Sequence, residues 1–149
     1  EIFHALVLRE ENSVLTDMES AVAAEKEPPA KLRALILAKL THFQQLRELL
    51  MVPRDVGEEV AQLYAGHETS FRASERAIIA AILKEGQRTS IFRPIDTGHL
   101  AKNVQTILNR LELPLIYEDT SDHMEHEVDD LLDILFHGIM TAWGENHIR

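Results

Sequence analysis

Residues 86–101 read Gly86-Gln87-Arg88-Thr89-Ser90-Ile91-Phe92-Arg93-Pro94-Ile95-Asp96-Thr97-Gly98-His99-Leu100-Ala101. They join two helical patterns through a segment with no helical period. Upstream, Phe71, Ile78, Ile79 and Ile82 share one helical face, and Gly86 is placed to stop that helix as a C-terminal glycine does. Downstream, the Asp96 carboxylate can accept the free amides of a helix carrying Leu100, Val104, Ile107, Leu108 and Leu111. A glycine stop, an aperiodic loop over Gln87–Ile95 and a carboxylate start make this a helix–loop–helix, with no strand pattern in it.

The same reading extends in both directions. A first helix is expected over Ile2–Ala24, with Phe3, Leu6, Val7, Val14, Leu15, Met18 and Val22 on one side, ending before Pro28-Pro29. Proline suits a first helical turn, so a second helix starts there, carries Leu32, Leu35, Ile36, Phe43, Leu46 and Leu50, and stops at Pro53. A short third covers Asp55–Tyr64, closed by Gly66, and the fourth runs from His67 to Glu85. The fifth ends near Leu111, ahead of a loop over Glu112–Ser121 that contains Pro114. Asp122 with Glu125 three residues on fits a reciprocal cap and opens a last helix to Trp143, with Gly144 ending it. The expectation is one all-α domain over residues 1–149, a six-helix bundle without repeats.

Composition narrows the function classes. A chain of 149 residues is long enough for a core that needs no staple. The absence of cysteine excludes disulfides, thiolate zinc sites, iron–sulfur clusters and cysteine nucleophiles, and fits a cytoplasmic location. No apolar run reaches the roughly 18 residues of a membrane span, and no basic-then-apolar leader precedes the first helix. The first residue is Glu1, which suggests a fragment lacking an N-terminal part.

The formal charge of −10 argues against DNA or an anionic membrane as the direct partner of these residues. It is unevenly spread. Residues 1–110 carry 14 basic and 15 acidic groups, whereas residues 111–148 carry ten acids and neither Lys nor Arg. Either the tail recruits a metal or a basic partner, or it is the solvated side of an otherwise apolar helix.

That last helix is apolar over a wide arc. At ~100° per residue, Met124, Val128, Leu131, Leu132, Ile134, Leu135, Phe136, Ile139 and Trp143 span roughly 200°, twice what a single neighbour requires. Two arrangements satisfy it: a central helix inside a monomer, or a helix packed on its own domain and on a second copy. In the second, the last two helices form a four-helix interface of a homodimer through Leu100, Val104, Leu108, Val128, Leu132, Leu135 and Ile139.

The segment Gly86 to Asp96, followed by His99-Leu100-Ala101, resembles one common in the TetR family of bacterial transcriptional repressors. There, a glycine-ended helix leads through Gly-x-x-x-Gly-x-Phe-Arg-x-x-Asp into a helix with an early Leu-Ala. This chain has Ser90 at the second glycine. Leu131-Leu132-Asp133-Ile134-Leu135-Phe136-His137-Gly138-Ile139 is likewise similar to that family's closing helix. The resemblance covers essentially the whole chain and implies the effector-binding and dimerisation domain of a repressor, whose DNA-binding helix-turn-helix would precede Glu1. DNA would be bound only through that missing part.

The resemblance also implies a largely apolar effector pocket between the first, second and fourth helices. Phe43 and Phe71 would face the ligand, with Arg47, Tyr64, His67 and Glu75 near them in register and Ile78 on the same helix as Phe71. Met51 and Phe92 are further candidates, and His99 falls at the pocket edge or the dimer seam. For either phenylalanine taken singly, ordinary core packing is the better account.

Other chemistries are poorly supplied, and neither catalytic residues nor a cofactor is expected. His126, Asp130, Asp133 and His137 share one side of the last helix, but His126 and His137 lie about 16 Å apart along its axis, too far for one ion. Glu1-x-x-His4 is half of a di-iron pattern with no second half, and no serine sits in a Gly-x-Ser-x-Gly elbow. The alternatives to a regulator are an α-helical metal-binding protein or enzyme, or a protein-interaction bundle.

Overall fold

The structure is a computed structural model and describes residues 2–50, 70–117 and 123–148. Those residues form five long helices and a short terminal one: α1 (Ile2–Ala23), α2 (Pro28–Leu50), α3 (Ser70–Arg88), α4 (Thr97–Tyr117), α5 (Met124–Ile139) and α6 (Ala142–Ile148). The short helix expected over Asp55–Tyr64 lies outside the described residues.

Helices α1 and α2 form the most extensive contact, and α2 also meets α3, α4 and α5, so it is the hub of the bundle. Its sequence explains that position. Leu32, Leu35, Ile36 and Leu40 are buried, and Leu37 and Ala38 pack partly against the same core. From α1 come Val14 and Met18, from α3 Phe71, Ile79, Ile82 and Leu83, from α4 Ala101, Val104 and Leu108, and from α5 Met124, Val128, Leu132 and Ile139. Ion pairs tie α2 outward at its edges, Lys31 to Glu85 on α3 at 2.8 Å and Arg33 to Asp129 on α5 at 2.6 Å.

Several boundaries differ from the sequence expectation, each for a local reason. Helix α3 does not stop at Gly86 but runs to Arg88. The Gly86 carbonyl accepts the Ile91 amide, the Gln87 carbonyl accepts that of Ser90, and Ser90 takes the left-handed conformation at φ 62°. This is a Schellman termination with serine at the position that favours glycine. Gly86 serves packing instead: a methyl group there would overlap the Phe92 ring.

Helix α4 begins where expected, with Asp96 Oδ1 accepting the His99 amide at 3.0 Å. It continues through Pro114 to Tyr117, so the expected loop at Glu112 is helix in its first half. The last expected helix is two helices. Its first residue is Met124 after His123, which makes no side-chain cap, and Met140 turns extended at φ −74°, ψ 147°. Asp122 lies outside the described residues. Gly144 is not a stop but sits inside α6, buried where an added methyl would come within 2.5 Å of the Ile91 carbonyl oxygen. Thr141 caps α6, its hydroxyl accepting the Gly144 amide at 2.9 Å.

Candidate functional site

The centre of the bundle is polar. Lys39 on α2, Glu75 on α3 and Gln105 on α4 are each at least 96% buried. Lys39 Nζ lies 2.5 Å from Glu75 Oε2, and Gln105 Nε2 donates to Glu75 Oε1 at 2.8 Å and to the Arg72 carbonyl at 2.8 Å. Arg76 Nε donates to Gln105 Oε1 at 3.2 Å. The Lys39 ammonium also sits 5.3 Å from the centre of the Phe71 ring, within cation–π range. Removing two charges from water costs several kcal/mol per ion, and apolar side chains of similar volume often do as well or better, so core stability alone is a weak reason for this pair.

The helical registers bring these groups together. Lys39 lies three residues after Ile36 and four before Phe43, on the face that otherwise buries leucine and isoleucine. Gln105 follows Ala101 by four residues and precedes Leu108 by three, on the buried stripe of α4. Both were visible in the sequence as polar residues at core positions, and neither was among the sequence candidates.

Of those candidates, Phe71 and Glu75 belong to this centre, both buried, and Phe43 and Ile78 are half-buried. Phe92 is buried elsewhere, its ring stacked on Phe136 at 6.1 Å and its backbone bridged to Met140. His99 is exposed in the first turn of α4. The Arg47 side chain, Met51, Tyr64 and His67 lie outside the described residues.

The residues expected at a dimer seam divide in two. Val104, Leu108, Val128, Leu132 and Ile139 are enclosed by their own chain, and Leu100 and Leu135 pack partly against the same core. The wide arc of the last helix therefore has an inner half satisfied within the monomer. Its outer half is open, with Ile134 74% and Trp143 49% exposed, and Ile107 of α4 is 39% exposed. Ile107, Leu131, Ile134 and Leu135 border a wholly apolar groove floored by Ile36 and Leu132.

On the polar side of α5, His126 pairs with Asp130 at 3.6 Å and His137 with Asp133 at 3.5 Å, all well exposed. Asp129 accepts two hydrogen bonds from Arg33, which hold its carboxyl below the ordinary aspartate value and raise the guanidinium. Among the described residues no three His, Asp or Glu converge on a point suited to a metal ion, and no helix is long and apolar enough to cross a membrane.

Together these features define an all-α bundle with a buried charged centre and an apolar outer face. No protein-family model and no curated protein matches the chain. Among solved structures it is similar to the crystal structure of a transcriptional regulator from Cytophaga hutchinsonii ATCC 33406, with a TM-score of 0.71 over 93% of this chain and 75% of that one. Sequence identity is 20%, so what the two share is the fold.

Proposed function

We propose that the chain is the effector-binding and dimerisation domain of a TetR-like transcriptional repressor, with a DNA-reading helix-turn-helix encoded ahead of Glu1. The Lys39–Glu75–Gln105 centre carries this reading, because it places an ion pair and an amide, drawn from three helices, where a small molecule could exchange contacts with them. The fold shared with a transcriptional regulator and the motif residues Gly86, Phe92, Arg93, Asp96 and Leu100 support it.

An effector seated among α1, α2 and α3 would favour one placement of these helices. Binding free energy would then shift a pre-existing equilibrium between subunit arrangements, and with it the spacing of two DNA-reading heads. The apolar face of α4 and α5 would join the two copies. No catalytic step or cofactor belongs to this reading, and the protein would work in the cytoplasm.

The test is made on the whole gene product. A basic helix-turn-helix encoded upstream of Glu1, together with a mobility shift on the DNA flanking its own gene, is the expected result. An ordinary start codon at this point, or a longer product that fails to retard that DNA, overturns the proposal.

A further inference from the structure

His42 of α2 sits between two carboxylates of α1. Its Nδ1 lies 2.9 Å from Asp17 Oδ2 and its Nε2 lies 3.2 Å from Glu10 Oε2. The ring is 11% exposed, against 31% for Glu10 and 56% for Asp17, so it is held in place while its partners remain in reach of water. Glu10 and Asp17 are seven residues apart, two turns of α1 on one face, which lets a single ring span them.

The chemistry of imidazole makes this arrangement depend on a proton. A neutral ring has one N–H donor and one lone pair, so it can satisfy one carboxylate while the other nitrogen faces carboxylate oxygen lone pairs at close range. Only the imidazolium donates from both nitrogens. Elsewhere on the neighbouring helices Glu75 pairs with Lys39, Glu85 pairs with Lys31, and Arg76 donates to Gln105.

We propose that His42 is a proton-operated clasp between α1 and α2. With the ring protonated, Glu10 and Asp17 are both held and the two turns of α1 between them are fastened to α2. Loss of the proton releases one carboxylate and loosens that stretch. The clasp stands on the His42 geometry alone; only its consequence for DNA, transmitted by α1 to the heads, rests on the function proposed above.

Amide hydrogen exchange of the 149-residue chain, corrected for intrinsic rates, tests the clasp between about pH 5 and pH 8, the range over which imidazole side chains in general change charge. Amides over residues 10–17 are expected to exchange about three- to fivefold faster relative to the rest of the core at the higher pH, the scale of a partly exposed charge pair. H42Q, which keeps a polar side chain with no titration, is expected to remove the step. E10Q and D17N, each changing a group open to solvent, are expected to shrink it. A wild-type profile flat across this range, or a step that survives in H42Q, E10Q and D17N alike, overturns the proposal. Neither outcome depends on whether the protein binds DNA.

Discussion

Phe92 and Met140, 48 residues apart, form an isolated antiparallel bridge. On either side of it the Arg93 amide donates to the Ile139 carbonyl at 2.7 Å and the Thr141 amide to the Ile91 carbonyl at 3.0 Å. The Thr141 hydroxyl adds a bond to the Ser90 carbonyl at 2.7 Å. The connector between α3 and α4 is thereby fastened to the break between α5 and α6, and the backbone groups freed by both interruptions satisfy one another.

This joint depends on Gly86, against which the Phe92 ring packs. G86A is expected to destabilise the fold by about 1–3 kcal/mol, since ring and helix must part to admit a methyl group. G98A is the control: its new methyl meets only Asp96 Oδ1 at an ordinary 3.5 Å, and the helix gains up to about 1 kcal/mol. Urea denaturation midpoints distinguish the two.

At Ser90 the opposite change is favourable. A left-handed serine carries a steric cost that glycine lacks, partly offset by the greater freedom of glycine in the unfolded chain. S90G is therefore expected to raise stability by about 0.5–1 kcal/mol, seen as a higher thermal midpoint. A lower midpoint would show that the termination of α3 does not control this joint.

In the buried centre, one substitution should cost more than two. K39M or E75Q alone strands a buried charge and is expected to destabilise by about 3–5 kcal/mol, whereas the K39M/E75M pair recovers most of that loss. If the centre reads an effector, the double variant folds but loses the thermal stabilisation that the effector confers on the wild type.

Arg33 and Asp129 set an acid-side pH dependence. The folded carboxyl lies below its unfolded value near 3.9, so the folded state binds fewer protons and the pair's contribution is present above that value. It is lost as pH falls through the lowered folded value. Both side chains are more than 40% exposed, which limits the contribution to about 1 kcal/mol or less. The stability gap between wild type and D129N, measured by urea titration from pH 6 downward, is expected to close in acid.

Ile134 tests the proposed dimer. With most of its side chain in solvent it contributes little to the monomer, so I134E is expected to leave the fold intact. If α4 and α5 join two copies, the same charge at the rim of an apolar groove shifts sedimentation from dimer to monomer at micromolar concentration. A wild type that already sediments as a monomer would refute the dimer.

Helix existence was largely legible in the sequence, and so were the Asp96 cap and the inward side of each long helix. What misled was punctuation. Gly86 and Gly144 look like stops because glycine is common at helix ends, yet both are small because another group lies against them: the Phe92 ring in one case and the Ile91 backbone in the other. Pro114 reads as a break, but α4 continues through it. Of the buried centre, Phe71 and Glu75 are among the residues that the sequence singles out, whereas Lys39 and Gln105 are not, although each stands on a core stripe.

What the sequence determined by itself is the helical class, because side-chain period and capping chemistry are local and act within a few residues. The wide apolar arc from Met124 to Trp143 was also legible, but not its division into an inner half buried on α2 and an outer half open at Ile134. The tertiary structure decided that division, the charged centre and the Phe92–Met140 bridge. Each depends on groups 30 or more residues apart meeting at one point, and the relative rotation and offset of packed helices, which set such meetings, are not written in the period of any one of them.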